Sequence, residues 1–274
     1  MKNGLKTLAL SALALSIASE TFAEEWNVSV WGKRRAFTEH VEKLAELVSE
    51  KTNGEFTMNV SYGGLSKNRE NLDGMTSPMP QYNLVGTGEA RTKLADFEGM
   101  RVRATGGLGK AFEAVGAVPT SVTSAEAYQA MESGVVDTVA FAQHAHLSFG
   151  TINQATWWTA NLNPGTVNCP IVVNIDAYEG LSDEHREALD SSVDESIAYY
   201  LENYGKLLAK WDEVLKEKGV EKVTISDEEL AAFRAKAADP IRDEWIAEME
   251  AQGIPGQELY TLLMDTLKKT RMAN

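Results

Sequence analysis

Residues 26–62 constrain the fold most. Trp26 to Trp31 reads WNVSVW, an alternating run with the two-residue period of a strand. Phe37, Val41, Leu44, Ala45 and Val48 follow at helical spacing, and Asn53-Gly54 stops that helix. Phe56 to Tyr62, FTMNVSY, alternates again. A strand, a helix and a strand in immediate succession pair the strands in parallel, with the helix as the crossover. Such an opening commits the chain to helices packed on a sheet.

The alternation continues. Arg101 to Ala104 reads as a strand feeding a helix around Ala111 to Val115. Thr123 with Glu126 predicts a capping box for a helix that Gly134 ends. VVDTVAF (135–141), ATWWTANL (155–162) and VNCPIVVN (167–174) read as strands, the last two joined by an Asn-Pro-Gly turn. Ser182 starts a long helix with an apolar stripe of Ile197, Leu201, Tyr204, Leu208, Trp211 and Leu215, closed by Gly219. VEKVTI (220–225) is a last strand, and Ser226 with Glu229 is a second capping box. Helices fill 228–238, 241–252 and 257–271, punctuated by Pro240 and Pro255. Strand–helix alternation with a helical tail predicts an α/β fold with a doubly wound sheet. Residues 63–80 are loop-rich where a compact lobe should supply another helix and strand.

The first residues carry Lys2 and Lys6, a short apolar run from Leu8 to Ala18, and Thr21-Phe22-Ala23. That is the pattern of a secretory signal peptide cut after Ala23. The run is too short to span a bilayer, so no direct membrane insertion is expected. A net charge of −14 argues against nucleic acid and anionic membranes as partners. It leaves room for a small anion, because a local arginine outweighs a diffuse, screened field. The single cysteine, Cys169, has no partner for an internal disulfide and reads as a small buried hydrophobe.

The segment DFEGMRVRATGGLG (96–109) carries the clearest chemistry. Arg101 and Arg103 share one face of a strand and precede a glycine-rich turn into a helix, which suits an anion. The plainer reading has both arginines solvated, or paired with Asp96 and Glu98. GGLGK (106–110) lacks the spacing and the Ser/Thr of a phosphate loop. His144 and His146 are placed on one face of a strand, but no metal-ligand spacing accompanies them. Trp157 and Trp158 suit a core or the wall of a ligand cleft equally. No GxSxG or HExxH motif is present, and nothing here requires an enzyme.

Taken together, YGGLSKNRENLDG, FEGMRVRATGG, AFEAVGAVPTSVTSAEAYQAMESGVVDTVAF and VVNIDAYEGLSDEHREAL resemble the solute receptors of tripartite ATP-independent periplasmic (TRAP) transporters, the DctP-like family. The resemblance implies a periplasmic-binding-protein-like α/β fold: two lobes, crossing strands and a long connecting helix. It places a signal peptide over 1–23, lobe one over 24–103, lobe two with the crossing strands over 104–180, and the connecting and C-terminal helices over 181–274. It implies a periplasmic receptor that closes on a small organic carboxylate and hands it to the membrane subunits of a TRAP transporter, with no cofactor, metal or catalytic step. Arg103 inherits the role of carboxylate anchor, with Trp31, Phe141, Gln143, His144 and Trp158 along the cleft. The family pattern is interrupted near 74–77, where Asp73-Gly74 runs almost directly into Pro78-Met79-Pro80, so lobe one is expected to be incomplete. Two rival readings follow: a truncated remnant that no longer binds, and a periplasmic metal-dependent enzyme using His144 and His146.

Overall fold

The structure is a computed structural model that describes residues 23–30, 33–36, 38–62, 81–166 and 171–273. Residues 1–22 of the expected signal peptide, Trp31, Phe37, the expected join within 63–80 and Cys169 lie outside the described residues. Strand β1 (Glu24–Val30) pairs in parallel with β2 (Phe56–Tyr62) in unbroken register, with helix α1 (Glu39–Lys51) between them in the chain. Val41, Leu44, Leu47 and Val48 form the buried face of α1. Asn53 and Gly54 end it with φ of 51° and 84°, the left-handed turn the sequence calls for.

Six strands form the larger sheet. In chain order they are β3 (Asn83–Gly86), β4 (Arg101–Arg103), β5 (Val118–Thr120), β6 (Thr138–Phe141), β7 (Trp157–Thr159) and β8 (Glu221–Val223). Their spatial order is β5-β4-β6-β3-β7-β8. β3 is antiparallel to both neighbours, and the other pairings are parallel. The fold is therefore mixed α/β. The expected lobe boundary at 103/104 falls within this sheet, because β4 is hydrogen-bonded to β5 and β6 beyond it. Side-chain alternation splits the core between the two faces. Leu84, Val102 and Trp157 join Phe97, Phe112 and Phe233 on one side. Val85, Val139 and Trp158 join Met131, Trp211 and Leu215 on the other.

The helices beyond α1 are α2 (Gly106–Glu113), α3 (Ala127–Glu132), α4 (Gln143–Ser148), α5 (Ile175–Glu179), α6 (Asp183–Ala209), α7 (Trp211–Lys218), α8 (Asp227–Phe233), α9 (Asp239–Ala251) and α10 (Gly256–Ala273). A π-helical turn, Arg234–Ala238, carries α8 into α9, with Pro240 in the first turn of α9. Ser182 caps α6 as expected, its Oγ accepting the His185 N–H at 3.1 Å. Ser226 caps α8 likewise, but Glu229 does not close the box. Its carboxylate accepts the Leu94 N–H at 2.7 Å instead, tying α8 to the turn before β4.

Expected elements differ in places, and the helix expected to run from Ser182 to Gly219 breaks at Lys210 into α6 and α7. Residues 171–174 of the expected VNCPIVVN strand are not strand, and Val172 and Val173 are 56% and 45% exposed. A strand needs a neighbour's hydrogen-bond ladder, and among the described residues β1 and β2 are the only strands outside the larger sheet. The chain instead turns into α5, where Asn174 Oδ1 accepts the Ala177 N–H. In α6 the buried stripe is His185, Ala188, Leu189, Ser192, Ser196, Tyr200 and Tyr204. Leu201 and Leu208, expected inside, are exposed. Small side chains at 188, 192 and 196 line the buried face of α6, which packs along α1.

The closest packing in the larger sheet is at Gly86, where a Cβ would stand 2.1 Å from the Trp157 ring. Gly86→Ala is expected to lower the free energy of unfolding in urea by roughly 1–3 kcal/mol or more, as overpacking does. Gly107→Ala, in α2 with open space around the added methyl, should leave stability unchanged or slightly raised. Equal effects of the two substitutions would refute the packing argument.

Candidate functional site

Arg103 is the last residue of β4. Alternation sends Val102 into the core and turns Arg103 to the other face, beside β6. The arginine is only 6% exposed. Its Nε–H donates to the Val122 carbonyl at 3.1 Å, and Nη2 lies 3.3 Å from Ser124 Oγ. The guanidinium carbon sits 4.5 Å from the centre of the Phe141 ring, within cation–π range. Tyr82 interacts with it electrostatically. Among the described residues Arg103 makes no ion pair. Burial draws its pKa below the ordinary arginine value, but a guanidinium starts so high that it stays charged at neutral pH.

Arg101 does something else. It is exposed at the start of β4 and ion-paired to Asp137, whose carboxylate also accepts the Arg101 backbone N–H at 3.0 Å. The pairings with Asp96 and Glu98 considered from the sequence do not form there; Asp96 accepts the Thr92 and Lys93 N–H groups. The glycine turn is also not what surrounds Arg103. Added methyls at Gly106 and Gly107 would meet nothing, and the side-chain contacts of Arg103 come from Val122, Ser124 and Phe141.

Phe141 ends β6, buried, with His146 and Phe149 rings 5.6 and 5.5 Å away. Gln143 opens α4, half-buried. The two histidines lie on α4 rather than on a strand, so positions two apart point to nearly opposite sides and are not one ligand pair. His146 Nδ1 is 2.8 Å from Thr151 Oγ1, and Nε2 is 3.3 Å from the Asn83 carbonyl. A carbonyl only accepts, so Nε2 carries the proton and Nδ1 accepts from the threonine hydroxyl. Both ring nitrogens are thereby used. His144 packs edge-on against Tyr204 at 5.6 Å. Burial lowers both histidine pKa values to about 3; nearby Arg35 adds to this at His144.

Trp158 is buried with its ring against Trp211, 5.6 Å away, which makes it part of the core under α7. Trp31 lies outside the described residues. The structure adds residues the sequence reading passed over. Arg35, 5% exposed, reaches from the loop after β1, its guanidinium 5.7 Å from the Phe149 ring centre. Lys33 Nζ stands 4.9 Å from the same ring. Thr38 fixes the loop by accepting the Arg35 N–H and donating to its carbonyl, both at 2.9 Å. Lys33-Arg34-Arg35 directly after a parallel strand was the available signal, since α/β folds bind ligands beyond the carboxyl ends of their strands. Arg35, Arg103 and Phe141 all sit at such ends.

Residues 82–248 match the family described as bacterial extracellular solute-binding protein, family 7, DctP. The ectoine-binding periplasmic protein TeaA of Halomonas elongata is 27% identical over 206 residues, which is 69% of this chain and 55% of that protein. The chain thus matches little more than half the length of that relative. Among solved structures, a TRAP periplasmic solute-binding protein from Desulfovibrio salexigens with bound orotic acid superposes with a TM-score of 0.76 at 17% identity, covering 88% of this chain and 97% of the other. One from Rhodoferax ferrireducens with bound malonate gives 0.73 at 16% identity, covering 90% and 98%. At these identities the structures establish the fold, whereas the family match runs from Tyr82, before β3, through the larger sheet and into α9. The chain belongs to the DctP family of bacterial extracellular solute-binding proteins.

Proposed function

We propose that this chain is a periplasmic receptor for a small organic carboxylate and delivers it to the membrane components of a TRAP-type transporter. The observation that carries the reading is Arg103: a buried guanidinium held by a carbonyl, a hydroxyl and an aromatic face, with no ion pair among the described residues. A buried charge is costly unless it is paired, and a ligand carboxylate pairs with a guanidinium through two parallel hydrogen bonds. Phe141 and Phe149 supply apolar surface, and Arg35 and Lys33, over the Phe149 ring, add positive potential. The relatives named above bind orotic acid, malonate and ectoine, which accords with a pocket for small solutes. Binding would favour a closed arrangement of the two units, the ligand shifting the population by its higher affinity for that state.

Arg103→Ala is expected to weaken carboxylate binding by about 2–5 kcal/mol in calorimetry, the usual loss when a buried charge pair is broken. Arg103→Lys should recover only part of it, because an ammonium lacks the planar fork. Unchanged affinity in Arg103→Ala would remove the assignment. The remnant reading draws on the first sheet having two strands among the described residues and on the exposed Val172 and Val173. A panel of organic acids separates the two. A receptor gains about 2.7 kcal/mol of stability at a hundredfold excess over Kd, visible as a raised melting midpoint. A broad melt that no acid moves supports the remnant.

The histidines predict a pH dependence of folding. Folded, His144 and His146 stay neutral down to about pH 3; unfolded, they take up protons below about 6.5. The unfolded state therefore binds more protons between those values, so stability falls as the pH drops below 6.5. Between pH 6.5 and 5 the depressed carboxylates Glu42 and Asp137 remain ionised, which isolates the histidine contribution. Urea titrations should show stability declining over that interval, and the decline should flatten in His144→Gln/His146→Gln. An unchanged slope in the double variant would contradict the burial argument.

A further inference from the structure

The loop between β1 and α1 brings two further cations onto the aromatic pair of the candidate site. Lys33 Nζ stands 4.9 Å, and the Arg35 guanidinium 5.7 Å, from the centre of the Phe149 ring. Phe149 in turn lies 5.5 Å from Phe141 at an interplanar angle of 33°, and Phe141 carries Arg103 at 4.5 Å. Both members of the pair are therefore flanked by cations, and these come from different parts of the fold. Arg103 belongs to the larger sheet through β4, whereas Lys33 and Arg35 precede α1, which packs on the two-stranded sheet. Their fields meet on α4: Arg35 adds to the lowering at His144, and Arg103 to that at His146.

Like charges gathered around two rings repel one another, and cation–π contact offsets only part of that cost. Among the described residues neither Lys33 nor Arg103 makes an ion pair, and the two histidines between the arginines are neutral. A bound solute thus meets positive potential at both ends. One carboxylate on Arg103 leaves the far end of the solute toward Phe149. A neutral far end gains only apolar contact there. An anionic one gains charge-assisted hydrogen bonds to a planar fork, and an ammonium is repelled. The overall charge of −14 acts in the opposite sense, since it repels a dianion more than a monoanion. Any preference for dianions therefore arises locally. Arg35 is buried and little screened, whereas Lys33 is exposed, so Arg35 carries most of the discrimination.

We infer that Arg35, with Lys33 beside it, is the specificity-determining cation of the site: it selects a solute with a second anionic group and rejects one whose far end is cationic. The inference rests on the reading of Arg103 as the carboxylate anchor. Two sets of acids vary the far end at constant length: glutarate, pentanoate and γ-aminobutyrate, and terephthalate, para-toluate and para-aminomethylbenzoate. Calorimetry should rank each set dianion first and zwitterion last, with the dianion ahead of the neutral-ended acid by roughly tenfold or more, a gap that narrows in high salt. Arg35→Gln should bring that gap to within a factor of about two while leaving pentanoate and para-toluate affinities unchanged, and Arg35→Glu should place the zwitterions first. The melting midpoint reports whether these buried variants fold. If they do not, the exposed Lys33→Glu should still narrow the gap several-fold, and an unaltered gap there overturns the inference. A folded Arg35→Gln that keeps the dianion preference overturns it too. Equal wild-type affinity for pentanoate and glutarate, both lost in Arg103→Ala, would overturn the role of Arg35 and leave that of Arg103 standing. Failure of every acid in both sets to bind would remove both.

Discussion

Four residues, Asn83 to Gly86, join the halves of the larger sheet, because β3 is antiparallel to β6 on one side and β7 on the other. Each of the four has a separate task. The Asn83 amide donates to the Thr159 carbonyl and to Asn163, while its own carbonyl receives His146. Leu84 and Val85 enter the two opposite cores, and Gly86 leaves room for the Trp157 ring. The register puts Asn83 opposite Phe141. The carboxyl end of β6 is thereby fixed, and with it the aromatic face beneath Arg103. Packing at one end of a four-residue strand and the walls of the candidate site at the other are parts of one pairing.

The electrostatics of the site are local rather than global. The chain as a whole carries −14, so its distant field repels an anion. Exposed charges are screened over about 8 Å at physiological ionic strength, and a buried cation is screened far less. Arg103 is held by groups that orient it without neutralising it. Arg101, two residues away, is neutralised by Asp137 at the surface. The contrast follows from position along β4. Its exposed start meets the acidic residue that leads into β6, and its buried end meets Phe141. The adjoining histidines are kept neutral by burial, so the charge of the region rests on arginine and lysine.

Elements with a strong period or a cap were legible in the sequence. β1, α1 and β2 followed from alternation and an Asn-Gly stop, and the start of α6 followed from Ser182. β3 was not, because NLVG is buried on both faces and too short to show alternation. α4 was read as extended for a similar reason: six residues hold less than two helical turns, and paired histidines drew attention to ligand spacing instead. The α6 stripe was assigned one phase away, since leucines mark a core only where a neighbour reaches them, and the face α6 buries carries the serines. Arg103 was legible from its motif. Arg35 was not, because only tertiary structure brings the loop after β1 to Phe149.

The long helix ties these parts into one mechanical unit. At about 1.5 Å per residue, the 27 residues of α6 extend roughly 40 Å, enough to touch both sheets' helices. Its first half packs on α1 and β2, with His185 against Phe56. Its second half carries Tyr200 and Tyr204, and these complete a run of rings. His40 on α1 contacts Tyr200 at 5.6 Å, Tyr200 contacts Tyr204 at 5.7 Å, and Tyr204 contacts His144 on α4 at 5.6 Å. The run ends at His144, where Arg35 is the nearby arginine. Close-packed rings do not deform continuously; they repack between discrete arrangements. A movement of α1 relative to α4, such as the proposed closure would require, must therefore either carry this ring stack as a body or exchange its contacts. The contacts between the first unit and α4 thus run along the second half of the face that α6 buries, where Tyr200 and Tyr204 lie.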